Sequence, residues 1–172
     1  MTLIDSLYNK RFCLPSNGGA SIQKNCLCGN YNHIACIFLG KGENLISGKK
    51  INILSYGTNQ YADVEGEEPT IHAEYDAISR LPPLDRRNTR NLYICNIFVT
   101  RLSKSNKWGT SKPCHQCIHN LMFLPQHKGY RIKNVYYTDR DENIIKERLH
   151  HLIHQKNPHY TRYYRKRGDF PY

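Results

Sequence analysis

Two short stretches constrain this chain more than anything else in it: Thr70-Ile71-His72-Ala73-Glu74 and, further along, Pro113-Cys114-His115-Gln116-Cys117. Together they supply an imidazole, two thiols and a carboxylate, the donor types from which zinc sites are built. A structural zinc site usually closes with four Cys or His ligands, whereas a catalytic one takes three and keeps the fourth position for water. His72, Cys114 and Cys117 make three. Any fold for this chain has to bring the two stretches together.

Local spacing shows how it could. Pro113 suits the first position of a helix over residues 113–124, where its missing N–H costs nothing. Cys114 and Cys117 then fall at i and i+3 on one face of the first turn, whose free N–H groups favour negative sulfur. His72 and Glu74 are two apart and would diverge in mid-helix. They converge only if the helix over residues 70–81 starts near His72, and Pro69-Thr70 is a plausible start signal. Zinc with two thiolates and a neutral imidazole is a net-neutral centre, which acidifies water less than an all-histidine site. A nearby carboxylate is then needed to carry the proton, and Glu74 is the candidate general acid/base rather than a ligand.

An H-x-E followed by P-C-x-x-C is the pattern of zinc nucleobase deaminases. Reading His72-Ala73-Glu74 and Pro113-Cys114-x-x-Cys117, the chain resembles the cytidine/deoxycytidylate deaminase superfamily over residues 33–150. The resemblance implies a three-layer α/β/α sandwich with a mixed five-stranded sheet and the two zinc-bearing helices side by side on one face. It implies hydrolytic deamination of a cytosine-bearing nucleoside or nucleotide: zinc-bound hydroxide attacks C4, Glu74 shuttles protons and ammonia leaves. It also implies self-association, as relatives often form homo-oligomers. The loop Ser55-Tyr56-Gly57-Thr58-Asn59 is similar to the one that precedes the H-A-E helix in that superfamily, which gives Asn59 a sugar or base contact, or else a turn role. Ala73 and Pro113 are carried over as substrate contacts. Ser111 and Lys112 stand where related enzymes offer a backbone carbonyl to the substrate's amino group. Trp108, the one tryptophan, either stacks on a base or anchors its loop. The stretch from His72 to Cys114 looks longer than in many compact deaminases.

Charge and composition set outer limits. The net charge is +11 and uneven: residues 1–61 carry six Lys/Arg against two Asp/Glu, residues 62–100 four against seven, and residues 101–172 fifteen against five. A basic balance suits phosphate-bearing partners, nucleotides or single-stranded nucleic acid, and equally a merely soluble surface. Seven cysteines form no evident disulfide framework and point to a reducing, cytoplasmic setting. No apolar run is long enough to span a membrane, and residues 1–10, with Asp5, Ser6 and Asn9, do not read as a secretory leader.

The length fits one domain, with an N-terminal extension over 1–32, the deaminase-like domain over 33–156 and a basic tail over 157–172. Cys26, Cys28, His33 and Cys36 crowd together at a spacing that matches no common metal site, which favours ordinary thiols. Strands are expected over 33–39, 45–56 (interrupted near Gly48-Lys49-Lys50) and 91–100. Residues 60–69 read as an acidic loop, and residues 101–112 as a long loop. In the first helix Ile71, Tyr75 and Ile78 form an apolar stripe; in the second, His115 and His119 read as exposed. A strand over 132–139, a turn over 139–143 and a strand over 144–149 make an antiparallel hairpin, in competition with a helix over 141–154. The tail mixes Tyr with Arg162, Arg165, Lys166 and Arg167, a composition able to stack bases and hold phosphates, or simply to solubilise. Three functions therefore stand together: a deaminase of free nucleosides or nucleotides, a deaminase of single-stranded RNA or DNA, and a non-enzymatic scaffold that keeps the zinc.

Overall fold

The computed structural model describes residues 31–47, 49, 51–61, 70–84, 91–103, 107–161 and 165. In chain order they form β1 (Tyr31–Leu39), α1 (Glu43–Ile46), β2 (Asn52–Thr58), β3 (Gln60–Tyr61), β4 (Thr70–Ile71), α2 (Ala73–Ser79), β5 (Tyr93–Ser103), β6 (Trp108–Gly109), α3 (His115–Phe123), a 3₁₀ turn (Leu124–Lys128), β7 (Tyr130–Thr138), β8 (Ile144–Arg148) and α4 (Leu149–Ile153). The expected tail residues Arg162, Lys166 and Arg167, the acidic loop at 62–69, and Cys13, Cys26 and Cys28 lie outside the described residues. Among those described, no helix is long and apolar enough to cross a membrane.

The fold is α/β, with a mixed sheet in the order β2-β1-β5-β7-β8 and β6 added onto β5. β1 is antiparallel to both β2 and β5, β5 is parallel to β7, and β8 is antiparallel to β7. β2, β5 and β7 therefore share one direction. Parallel strands need crossover connections, and α2 and α3 supply them. Each helix starts near the end where its preceding strand stops, so both helix N-termini meet at one end of the sheet.

The central strands read as apolar runs because both of their faces are buried. Ala35 and Ile37 of β1, with Cys95, Ile97 and Val99 of β5, pack with Ala73, Ala77, Ile118, Leu121, Leu149 and Leu152 in the main core. Cys36, Phe38 and Phe98 point the other way and meet Leu45 of α1 and Tyr136. So α2, α3 and α4 cover one face, while the one-turn α1 is the helical cover on the other face among the described residues.

Several elements differ from expectation. The segment expected as a strand over 45–56 is a turn of helix followed by β2; Gly42, where a Cβ would collide with the Tyr136 ring, lets α1 close against the sheet. Residues 101–112 are not all loop, since β5 runs on to Ser103 and β6 pairs with it through Arg101↔Gly109 and Leu102↔Trp108. Ile71 and Tyr75 are exposed, and the buried side of α2 is instead Ala73, Ala77 and Ile78. Small residues there let the helix lie close on β2. The 139–143 turn is present: Asp139 Oδ1 accepts the N–H groups of Asp141 and Asn143, both at 2.8 Å, and Glu142 takes φ +64°. After that turn come both β8 and the short α4, so the competing helix survives only as the single turn and a half beyond β8.

The β2–α2 contact fixes the first ligand. Ser55 Oγ donates to the Ala77 carbonyl at 2.8 Å, and the Thr58 N–H donates to Asp76 Oδ2 at 3.0 Å. Asp76 also pairs with Arg80 at 2.9 Å. Between these bonds sits Gly57, where a Cβ would run into the Ala73 carbonyl and the Ala77 amide. Backbone cannot swing aside as a side chain can, so Gly57→Ala is expected to destabilise the protein by about 1–3 kcal/mol. Urea unfolding of the variant checks this; a wild-type midpoint would show that α2 tolerates displacement from β2.

Candidate metal centre

The two helices present their ligands from the positions just before and within their first turns. His72 is the N-cap of α2 and Cys114 the N-cap of α3, both with extended backbone. α3 therefore starts two residues later than the sequence pattern suggests, and Pro113 lies ahead of the cap. A side chain at N-cap ordinarily closes the free N–H groups of its own helix, but neither His72 nor Cys114 makes such a bond. Closure comes from outside. Asn59 Oδ1 accepts the Ala73 N–H at 2.9 Å, and the His159 carbonyl accepts the His115 N–H at 2.7 Å. Both N-cap side chains are thereby left to face one another.

They do face one another. His72 Nδ1 lies 3.1 Å from Cys117 Sγ and 3.5 Å from Cys114 Sγ. The three ligand atoms all fall within 4.8 Å of each other. Zinc bonds of about 2.0 Å to nitrogen and 2.3 Å to sulfur, held tetrahedrally, put those atoms roughly 3.5 Å apart. The donor set and its spacing therefore fit a zinc ion, with two soft sulfurs and one imidazole at three corners. Both thiols are buried and His72 is half-buried.

The electrostatics are those of a compact donor cluster. The Cys114 thiol is pulled well below its usual range, first by hydrogen bonding from Cys117 and then by His72. Cys117 is pushed up by the same contact and by burial. The His72 imidazole is raised through its bond to Cys114. Glu74 is 5% exposed; burial raises its carboxyl, the Cys114 charge adds to that, and its side chain reaches Cys117. Glu74 thus stands beside the triad without being part of it.

The remaining candidates separate into two groups. Asn59 and Ala73 are at the site, but the Ala73 N–H and Asn59 Oδ1 are bonded to each other. Ser111 is buried, with its hydroxyl on the Val99 carbonyl and Thr138 Oγ1, both at 2.8 Å. Lys112 Nζ turns to Glu147 at 3.3 Å and lies over the Tyr137 ring. These side chains are committed to the sheet, and so is the Ser111 N–H, which donates to the Thr138 carbonyl at 2.9 Å. Trp108 packs on Phe98, ring centroids 6.4 Å apart, in the core on the face away from α2, α3 and α4. It anchors β6 and does not look onto the triad.

Two residues escaped sequence reasoning. His33 pairs with Arg101 across β1 and β5, and its carbonyl accepts the Asn59 N–H at 3.3 Å. Its imidazole is lowered to about 4, first by burial and then by the nearby charges of Arg101 and His72. His115, expected to be exposed, is buried beneath Tyr160, with ring centroids 5.1 Å apart. Only strand register and the docking of residues 159–161 reveal either one.

No family model matches the sequence, and no curated protein matches it. Two solved chains match in structure. One is a cytidine deaminase from Mycobacterium leprae, aligned over 73% of this chain and 81% of that chain at 16% identity with a TM-score of 0.36.

Two expectations follow. Protein purified without chelator should carry about one zinc per chain, and Cys114→Ala should lose it, as read by elemental analysis; stoichiometric zinc in the variant would place the metal elsewhere. Asn59→Ala should cost about 1 kcal/mol, as loss of a helix cap does, measured by urea unfolding with zinc in excess.

Proposed function

We propose that the protein is a zinc-dependent hydrolytic deaminase acting on a cytosine-bearing nucleoside or nucleotide. The observation that carries this reading is the buried Glu74 carboxylate beside a three-donor His-Cys-Cys cluster. A closed structural site would have a fourth protein ligand and no use for a neighbouring acid/base. The sequence order H-A-E then P-C-x-x-C agrees with it.

When bound, zinc supplies Lewis-acid activation of a water molecule. The chain's own residues do the rest. His72, Cys114 and Cys117 would hold the ion, and Glu74 lies beside them, with its side chain reaching Cys117. Glu74 takes one proton from the attacking water and passes it to the ring nitrogen, then takes the proton of the new C4 hydroxyl and passes it to the leaving amino nitrogen. Burial raises the affinity of Glu74 for a proton, which suits a group that must take one up and pass it on. The C4–N bond breaks, a C4–O bond forms, and ammonia departs. Two thiolates and a neutral imidazole would offset the charge of the ion, which leaves more of the proton transfer to the carboxylate.

A second reading, cytosine within a single strand, is favoured by one observation. Residues 159–161 dock directly beside Cys114, through the His115–His159 bond and the Tyr160 ring. The sequence that follows them is Arg162-Tyr163-Tyr164-Arg165-Lys166-Arg167.

Ammonia release from cytidine, deoxycytidine, their monophosphates and short oligonucleotides, measured side by side, tests both readings. Glu74→Ala should retain zinc and fold while kcat falls by a factor on the order of 10²–10⁴. Wild-type turnover in that variant would remove Glu74 from the mechanism. A zinc-loaded wild-type protein inert on every substrate would leave the scaffold reading.

A further inference from the structure

The sheet ends at β8, and a groove of about 410 Å³ follows that edge, lined by Lys133, Asn134, Lys146, Glu147, Arg148 and His151. None of these residues belongs to the metal centre. The one carboxylate among them is already engaged: Glu147 Oε1 accepts from the Tyr137 hydroxyl and from Lys112 Nζ, and Oε2 accepts from Gln155 at 3.0 Å. Lys146 pairs with Glu43 at 3.1 Å, but both groups are exposed, and such pairs hold weakly. Lys133 and Arg148 are exposed and form no ion pair among the described residues. Among the described residues, the groove therefore presents an excess of positive charge that is not neutralised.

Backbone geometry puts the charge there. The register of β5 against β7 runs Cys95↔Ile132 and then Asn96↔Asn134, so Lys133 is the extra residue of a bulge. A bulge re-aims its side chain. Arg148 lies opposite Asn134 on β8, and His151 follows on the first turn of α4. Lysines on an edge strand can serve only to discourage strand pairing. That role needs neither a concave lining nor a bulge directing a second cation into it. The cations are spread along the edge, with exposed Arg131 beyond Lys133 on β7, and this extent suits several phosphates in a row more than one small anion. Residues 101–172, which include this edge, hold fifteen Lys/Arg against five Asp/Glu.

We propose that the β8 groove binds the phosphodiester backbone of a single-stranded nucleic acid. The site is separate from His72, Cys114 and Cys117, and its test reads binding rather than turnover, so it stands or falls apart from the deaminase reading.

The experiment uses the full chain, zinc-loaded, and a fluorescent oligothymidylate, with anisotropy measured at low and moderate salt. The comparison is wild type against Lys133→Glu/Arg148→Glu, with thermal unfolding and zinc content checked to be unchanged. Each lost single-strand phosphate contact should flatten the plot of log affinity against log salt by about 0.7. The double variant should therefore bind more weakly and with a slope shallower by about 1.4. If the double variant fails to fold, the single variant Lys133→Gln should show half that change. Equal affinity and slope in wild type and variant would overturn the proposal, as would absence of binding by the wild type. So would equal sensitivity of a matched duplex to the substitutions, or displacement of the oligonucleotide by inorganic phosphate at equal phosphate concentration, which would mark a small-anion site.

Discussion

Three strands of the sheet, β2, β5 and β7, run in the same direction, and the meeting of His72 with Cys114 and Cys117 depends on that. Each codirectional pair demands a crossover helix, and each crossover returns its N-terminus to the same end of the sheet. His72 and Cys114 are those N-termini. Reversing β2 or β5 would send the helix that follows it to the opposite end and separate the imidazole from the sulfurs by the length of the domain. The triad is thus set by topology first and by side-chain chemistry second. This is also the end where ligands of open α/β sheets usually bind, beyond the carboxyl ends of the strands.

Placing ligands at the N-caps has a cost that the rest of the molecule absorbs. Another group must then satisfy the first N–H of each helix. Asn59 does so for α2 and the His159 carbonyl does so for α3. The two bonds tie the site to distant parts of the chain, one to the end of β2 and the other to the segment after α4. Asn59 also donates its N–H to His33 on β1, so one residue joins the sheet, the helix start and the ligand.

Much of this was legible in residues. The donor set could be read directly because thiols and imidazole at these spacings have few other uses together. The inner strands declared themselves as runs without alternation, since both faces are buried. The 139–143 turn was visible because an Asp that accepts from the next amides is a local device. What was not legible depends on long-range register. Leu45 sits in an apolar stretch that reads as strand, yet it belongs to α1, because Gly42 permits close approach to Tyr136. Tyr75 fits a helical stripe but faces out, as α2 uses its alanines against β2. Trp108 and Lys112 carry the chemistry of a binding site and are spent on Phe98 and Glu147. His33 and Arg101 lie far apart in sequence and become neighbours only through the β1–β5 ladder.

The small ladder of β3 with β4 gives the fold a property of a different kind. Gln60 pairs with Ile71 and Tyr61 with Thr70, so the excursion between β2 and α2 is pinned shut at its base, immediately before His72. Asn59 adds a second clamp at the same place. The approach to His72 is thus held from two sides, by a strand pair and by a side-chain bond, and neither involves the sulfurs. The imidazole is therefore positioned by the backbone around it before the second half of the donor set is brought up to it.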